Sequence, residues 1–472
     1  MSLKDDIPMI IEFFKCHQDT IELNCNLIDI YDGNLLKYVL CDLEKQLSPE
    51  TFAACKHRVA PINLLSKIIQ KTSSIYTPPP MRRVVDGNES DTELFNWYQE
   101  KMDPNKYFMQ AAKMFSMCRA SLVQPYVHNM MPQMRVIQND KFFVISTDKV
   151  DDMTPTHVVT FEYRKNEYGP PKVVFYAYTQ TEFLIFDADK NIYTEEMAAL
   201  DNIEGSNRYG VLPFTYETAS ESKLYPSPDS DMLSMTKLIP VMLTDLNYAV
   251  MYQCFSIFYG INVDDEDMKL APNVFWRLKK DPTRDGNPEL GVIKGTVDYD
   301  GVMSTIQTEL SLWLNSKGIR PGAIGKLDGD NFANGISKMI DEMDTHEAKE
   351  VLTNVFVKIE NAFWDLTLHK LHPYWVQNGL IEMNQLFSES AYIETKFNVQ
   401  QPLISRGQLV TDLKNEVDAG FTSKKRAVQN LNPLMDEEEI DALLAEINAQ
   451  KQTPEQMQQP ATPPVAPNNG QG

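Results

Sequence analysis

Residues 316–337 read SKGIRPGAIGKLDGDNFANGIS, and the fold turns on how that stretch is taken. Gly318, Gly322, Gly325, Gly329 and Gly335 punctuate it, and helix-patterned sequence lies on both sides. Upstream, Met303, Ile306, Leu310, Trp313 and Leu314 recur on or near one helical face, so the spacing predicts a helix over 302–317. Downstream a helical pattern runs from about Asn334 to Leu371, ahead of Pro373, which at 1.5 Å per residue is on the order of 57 Å. Connections between helices usually take about 2–8 residues. A loop this much longer is either a phosphate cradle or a movable element at the end of a rigid strut. The cradle fails: around Gly325–Lys326 a P-loop needs glycine where Arg320 stands and Ser or Thr where Leu327 stands, after a strand rather than a helix.

Working outward, residues 1–130 read as helices. LSPETFAACKH opens with Ser48 as cap and Pro49 in the first turn. PINLLSKIIQK places Leu65, Ile68 and Ile69 on one face and stops at Pro78–Pro80. ESDTELFNWYQ has Ser90 and Glu93 in capping-box spacing. From about 134 the texture changes: KFFVIST, HVVTFEY, KVVFYAY and TEFLIFD, separated by turn clusters, predict a small antiparallel sheet over about 134–190. Residues 229–259 return to helix, kinked or split by Pro240 and ending at Gly260. Within 260–300, NVFWRL and LGVIKGTV flank the turn DPTRDGN as a two-strand insertion. KFNV is expected as a strand, and SRGQLVTDLKNEVDAG as a helix closed by Gly420. TSKKRAVQNLN and MDEEEIDALLAEI are expected as further helices. Beyond Gln450 the tail lacks core-forming residues and is expected to be disordered.

The 472 residues carry a formal net charge of −22, which excludes a stationary grip on nucleic acid through a basic face. Cys16, Cys25, Cys41, Cys55, Cys118 and Cys254 form no C-x-x-C pair and are expected as reduced core thiols. No apolar run approaches the ~20 residues of a bilayer span, and the N-terminus lacks the pattern of a signal peptide, so a soluble protein is expected. DGDN at 328–331 lacks the spacing and the closing Glu of a calcium loop. His369 and His372 stand at i, i+3 without an HExxH pattern, so they are expected as helix-end or surface residues rather than metal ligands. No nucleophile motif appears, and no enzymatic activity, metal or cofactor is expected.

Taken in order, five stretches resemble the portal proteins of tailed bacteriophages. They are APINLLSKIIQKTSSIYTPPPMR (60–82), LPFTYE (212–217), SPDSDMLSMTKLIPVMLTDLNYAVMYQCF (227–255), NFANGISKMIDEMD (331–344) and KFNVQQPLISRGQLVTDLKNEVDAGFTSKKRAVQNLNP (396–433). The resemblance spans most of the chain and departs from the family pattern at Pro240. It implies an α+β, mainly α, fold with wing, stem, clip and crown regions and long helices lining a central channel. The wing would be 1–225, the wing-to-stem helix 226–259, the clip 260–300 and the second stem helix 301–317. The tunnel loop would follow at 318–333, the long wing helix at 334–372, a return strand region at 373–401, crown helices at 402–450 and a disordered tail at 451–472.

The implied protein is a dodecameric ring at one capsid vertex, the channel for packaging and ejecting double-stranded DNA. It would be assembled in the host cytoplasm and end in the virion. Its implied partners are the terminase large subunit, a neck or tail adaptor, major capsid and scaffolding proteins and, transiently and without sequence preference, double-stranded DNA; no membrane is involved. The tunnel-loop residues would be Gly318, Arg320, Gly322, Gly325, Lys326, Asp328, Gly329, Asp330 and Asn331. Lys279, Lys280, Asp281, Arg284 and Asp285 would form the clip's partner surface. Met303, Ile306, Leu310, Trp313 and Leu314 would pack the stem. The competing expectation from the residues alone is an acidic helical scaffold or adaptor that binds protein partners without forming a channel.

Overall fold

The computed structural model describes residues 2–59, 61–165, 169, 171–199, 205–254, 257–261, 289–293, 299–319, 335–397, 406–432, 435 and 437–452. It begins with α1 (Leu3–Cys16), whose Leu3, Ile7, Ile10, Ile11 and Phe14 form one buried stripe. Then come α2 (Gln18–Asp29) and α3 (Leu35–Gln46), separated by a turn at Gly33 with φ +110°. Next are α4 (Pro49–Cys55), α5 (Leu64–Thr72), β1 (Met81–Val85), α6 (Glu89–Met102) and α7 (Pro104–Cys118). The β-rich part holds β2 (Ala120–His128), β3 (Met131–Ile137), β4 (Phe142–Ile145), β5 (His157–Arg164), β6 (Lys172–Tyr178), β7 (Phe183–Asp187), the short α8 (Thr194–Ala199) and β8 (Thr215–Thr218). The long helical part holds α9 (Ser230–Cys254), β9 (Ile257–Ile261), β10 (Glu289–Ile293), α10 (Tyr299–Ser316) and α11 (Gly335–Asp365), followed by α12 (His372–Gln377) and β11 (Tyr392–Lys396). The described chain closes with α13 (Arg406–Asp418), α14 (Lys424–Leu431) and α15 (Glu437–Gln452).

Three cores organise these elements. The first lies between α1 and the antiparallel sheet β4-β5-β6-β7, where Phe14 meets Phe161 and Phe175 edge-on, each at 5.0 Å. The second gathers α6 and α7 around α11, with Phe108, Phe356, Phe363 and Trp364 almost wholly buried. The ribbon β1–β11 flanks it, pairing Arg82 with Thr395 in register and so fastening the early chain to the segment beyond the long helices. In the third, α9 and α10 pack against α2, α3 and α5.

The predicted four-strand sheet is present, but the early chain is not all helix. Residues 120–137 form β2 and β3, and β2 also pairs with β8. The Leu122–Pro125 stretch is buried throughout, so this strand lacks the apolar–polar alternation that announces a half-exposed one. Pro125 is accommodated because β8 reaches only Ala120–Val123, leaving the strand a single neighbour there. Strand β1, directly after the prolines, is a second departure. The cap of α6 is Asn88 rather than Ser90: its Oδ1 accepts from Asp91 N–H at 3.0 Å, while Asp91 Oδ2 accepts from Asn88 N–H at 2.8 Å.

Helix α9 is not split at Pro240; it continues through it to Cys254, and Gly260 lies in a strand rather than at a helix end. Nearby, the buried Thr236 and Thr244 hydroxyls donate to the Met232 and Pro240 carbonyls at 2.6 and 2.7 Å. The insertion's strand β10 pairs antiparallel with β9, which follows α9; the NVFWRL stretch expected beside it lies outside the described residues. Helix α11, 31 residues and about 46 Å long, runs into a wider helical turn at Leu366–Leu371. Pro373 does not terminate the helical path, because it sits in the first turn of α12, where its missing N–H costs nothing. A strand at Tyr392–Lys396 reaches the first residue of KFNV, whose Asn398 and Val399 lie outside the described residues.

Candidate functional site

The end of α10 and the start of α9 meet at the root of the glycine loop. Helix α10 closes with Gly318 at φ +68°, the left-handed conformation that glycine takes without strain. Gly318 N–H donates to Asn315 O at 3.0 Å, Ile319 N–H donates to Leu314 O at 2.9 Å, and the Ile319 side chain is buried in the third core. Lys317 then reaches across to α9, its Nζ standing 2.9 Å from Asp229 Oδ2 and 3.0 Å from Asp231 Oδ1. Arg119, in the turn between α7 and β2, donates to Asp229 Oδ1 at 2.8 Å, and Trp313 Nε1 donates to Asp231 Oδ2 at 3.1 Å.

The signs follow the helix dipoles: carboxylates stand at the positive start of α9 and an ammonium at the negative end of α10. Burial tends to raise the Asp229 carboxyl, but Lys317 and Arg119 outweigh it and hold the carboxyl below its usual range. These groups pair with one another and leave no aligned nucleophile and base. The arrangement is an anchor that ties the start of α9 to the end of α10.

A second anchor holds α11. Glu360, fully buried, accepts from Arg82 Nε at 2.5 Å and Nη2 at 2.9 Å, from Tyr76 Oη at 2.7 Å and from Thr395 Oγ1 at 3.2 Å. Arg82 Nη1 also donates to Asn105 Oδ1 at 2.7 Å, so α7, α11 and the β1–β11 ribbon share one polar knot inside an aromatic core.

Of the predicted site residues, Gly318 lies at the loop's root. Arg320, Gly322, Gly325, Lys326, Asp328, Gly329, Asp330 and Asn331 lie outside the described residues, as do Lys279, Lys280, Asp281, Arg284 and Asp285. Ile306, Leu310, Trp313 and Leu314 are brought together and buried in this chain's own third core, with Met303 partly buried beside them. Asp229, Asp231, Lys317, Arg119, Arg82 and Glu360 were not singled out in the sequence. An acidic residue in the first turn of α9 is a local signal for Asp231, with Asp229 just before the helix; nothing local pairs them with Lys317, more than eighty positions away.

The cysteine expectation is corrected in part: Cys55 and Cys118 are buried, but Cys16, Cys25 and Cys41 are exposed. His372 is not a surface residue. It is fully buried, its Nδ1 accepting from Tyr98 Oη at 2.8 Å and its Nε2 donating to Gln385 O at 2.6 Å, while His369 Nε2 donates to Ala391 O at 2.9 Å. Among the described residues no group of three or more His, Cys, Asp or Glu is placed to hold a metal, and no helix is long and apolar enough to cross a membrane.

Burial depresses the His372 imidazole below its ordinary pKa of 6.5, against a smaller opposing effect of the Gln385 carbonyl. The unfolded chain therefore binds a proton that the folded chain refuses. This contribution to stability is complete above pH ~6.5 and declines as pH falls from there toward the depressed value, by at most ~1.4 kcal/mol per pH unit. Urea unfolding between pH 7.5 and 5 is expected to show that decline in the wild type and a smaller one in His372→Gln. Equal slopes would remove His372 as its source.

No family model matches the chain, and no curated protein matches it. Among solved structures, one partly similar chain comes from the neck of an empty gene transfer agent particle with C6 symmetry. It has a TM-score of 0.42 and 12% identity, covering 79% of this chain and 90% of that one. Another comes from the virion of a native gene transfer agent particle, with a TM-score of 0.41 and 10% identity over the same shares of the two chains.

Proposed function

We propose that the chain is the portal subunit of a tailed-phage-like particle: copies close into a ring, most simply a dodecamer, around a channel for double-stranded DNA. The observation that carries this is the succession α9, β9–β10, α10, glycine loop, α11. A helix leads out, a small β-ribbon caps its far end, a second helix returns antiparallel to it, and the loop departs from the clamp of Lys317 with Asp229 and Asp231. The long α11 follows, pinned through Glu360.

In this reading α9 and α10 form the stem, residues 260–300 the clip where terminase and later a neck adaptor dock, and 318–333 the tunnel loop. The helices from 402 to 450 form the crown. Head-to-tail copies close only if each presents two different complementary faces. The net charge of −22 suits a channel through which a polyanion passes without sticking. The protein's part is structural and passive, and ATP-driven translocation belongs to the separate terminase.

The test is the shape of the purified full-length chain. Negative-stain imaging and mass photometry are expected to find closed rings of about twelve copies with a central hole. Monomers, or small oligomers without a hole, would overturn the channel and leave the acidic scaffold or adaptor as the better account.

A further inference from the structure

Three buried side-chain oxygens near the end of β3 accept from no donor. Asn24 lies on the buried stripe of α2 with Ile21, Leu27 and Ile28, where the helical period calls for an apolar side chain. Asn139 and Asp140 are the central residues of the turn from β3 to β4, which Lys141 N–H closes by donating to Gln138 O at 2.9 Å. Asn24 and Asn139 are each 1% exposed.

The orientation of both amides is fixed. Asn24 Nδ2 donates to Asn139 O at 3.3 Å and Asn139 Nδ2 to Ala120 O at 2.9 Å, and flipping either would set oxygen against oxygen. Asn24 Oδ1, Asn139 Oδ1 and Asp140 Oδ1 are left buried without a partner. Tyr225 Oη donates to Asn139 O at 3.5 Å, so its proton is directed to the main chain. Tyr225 and Ile21 belong to the first core, Leu27 and Cys118 to the third, and the polar group lies where the two meet.

One buried oxygen without a donor is costly and uncommon. Here three sit on residues joined by a hydrogen bond or a peptide bond. A water molecule has two protons to give and leaves one of the three unmet. A hard metal cation takes several oxygen ligands at once, carboxylate and amide carbonyl together, and needs no imidazole or thiolate. Positive charge is also what Asp140 lacks: burial raises its carboxyl, and Lys141, whose Nζ donates to Gln138 Oε1 at 2.9 Å, offsets only part of that. Asp140 is half-buried and Cys25, next to Asn24, is exposed, so an ion has a short way in from solvent.

We propose that Asn24, Asn139 and Asp140 hold an alkali or alkaline-earth cation through their side-chain oxygens, joining α2 to the β3–β4 turn. The site stands independently of the ring reading. Thermal unfolding of the full-length protein tests it, after removal of metal by a chelator and at an ionic strength held constant with choline chloride. Na⁺, K⁺ and Ca²⁺ are added in separate arms, and the arm that responds identifies the ion. At least one is expected to raise the wild-type midpoint by ~2 °C or more, the size that linkage gives a weak site near saturation. Asp140→Asn is expected to lose that rise. In metal-free buffer it is expected to unfold no earlier than the wild type, because the isostere removes an unpaired buried carboxylate. Glu12→Gln, which neutralises an exposed carboxylate on α1, is expected to keep the rise. No arm exceeding choline would overturn the site and leave buried waters as the partners of these oxygens. A rise that survives in Asp140→Asn, or is lost in Glu12→Gln, would overturn it too, by assigning the effect to the acidic surface. An Asp140→Asn chain that unfolds earlier without metal would make Asp140 a turn residue rather than a ligand.

Discussion

Replacing Glu360 with alanine is expected to destabilise the protein by about 3–5 kcal/mol, the cost of leaving a buried charge without its partner. The side chains of Arg82 and Glu360 are 1% and 0% exposed, so no water takes the carboxylate's place. Register explains how one carboxylate gathers so many donors: Arg82 and Thr395 are cross-strand neighbours in the β1–β11 ribbon, and both point at Glu360 on α11. The same deletion strands Tyr76, whose hydroxyl burial and the adjacent carboxylate hold far above its ordinary pKa. Chemical denaturation of Glu360→Ala measures the loss. The double substitution Arg82→Met with Glu360→Leu is expected to regain most of it, because replacing both ions removes the uncompensated charge. Equal losses in the single and double variants would mean that the knot acts through packing rather than charge.

That knot marks where sequence reading ends. The sheet β4–β7 was legible because its strands are short β-branched and aromatic runs between turn clusters, and neighbours in sequence are neighbours in space. Helices α4, α5 and α13 announced themselves through Ser48, the Leu65–Ile69 face and Gly420. The strand β2 was hidden by being buried through most of its length, and β1 by needing β11 from the far end of the chain. Asn88 and Ser90 both head plausible caps, and the choice between them depends on Asp91, whose Oδ1 also accepts from Ser388 N–H at 2.9 Å. A residue almost three hundred positions away decides a local detail. The loop clamp is of the same kind: its charges obey the dipole rule singly, but their meeting is a tertiary fact.

The stem residues sharpen into the second large prediction. Leu314 is fully buried and Trp313 is 5% exposed, both facing α9 and the early helices of their own chain. An aspartate at 314 would place a charge where a leucine packs, adding a desolvation penalty to the lost contacts, and is expected to cost at least ~4 kcal/mol. Leu314→Asp therefore unfolds the subunit and says nothing about a seam between copies. Leu312, two positions earlier on the other side of α10, is 67% exposed, and Leu238 on α9 is 40% exposed. Changing Leu312 to Asp removes no interior contact and is expected to leave unfolding within about ±0.5 kcal/mol of wild type. If α10 lines a seam between subunits, the same change buries a charge only on assembly, so mass photometry is expected to show folded monomers in place of rings. Rings formed normally by a folded Leu312→Asp chain would take this face of α10 out of the seam. Rings formed by a stable Leu314→Asp chain would contradict the placement of α10 in the core itself.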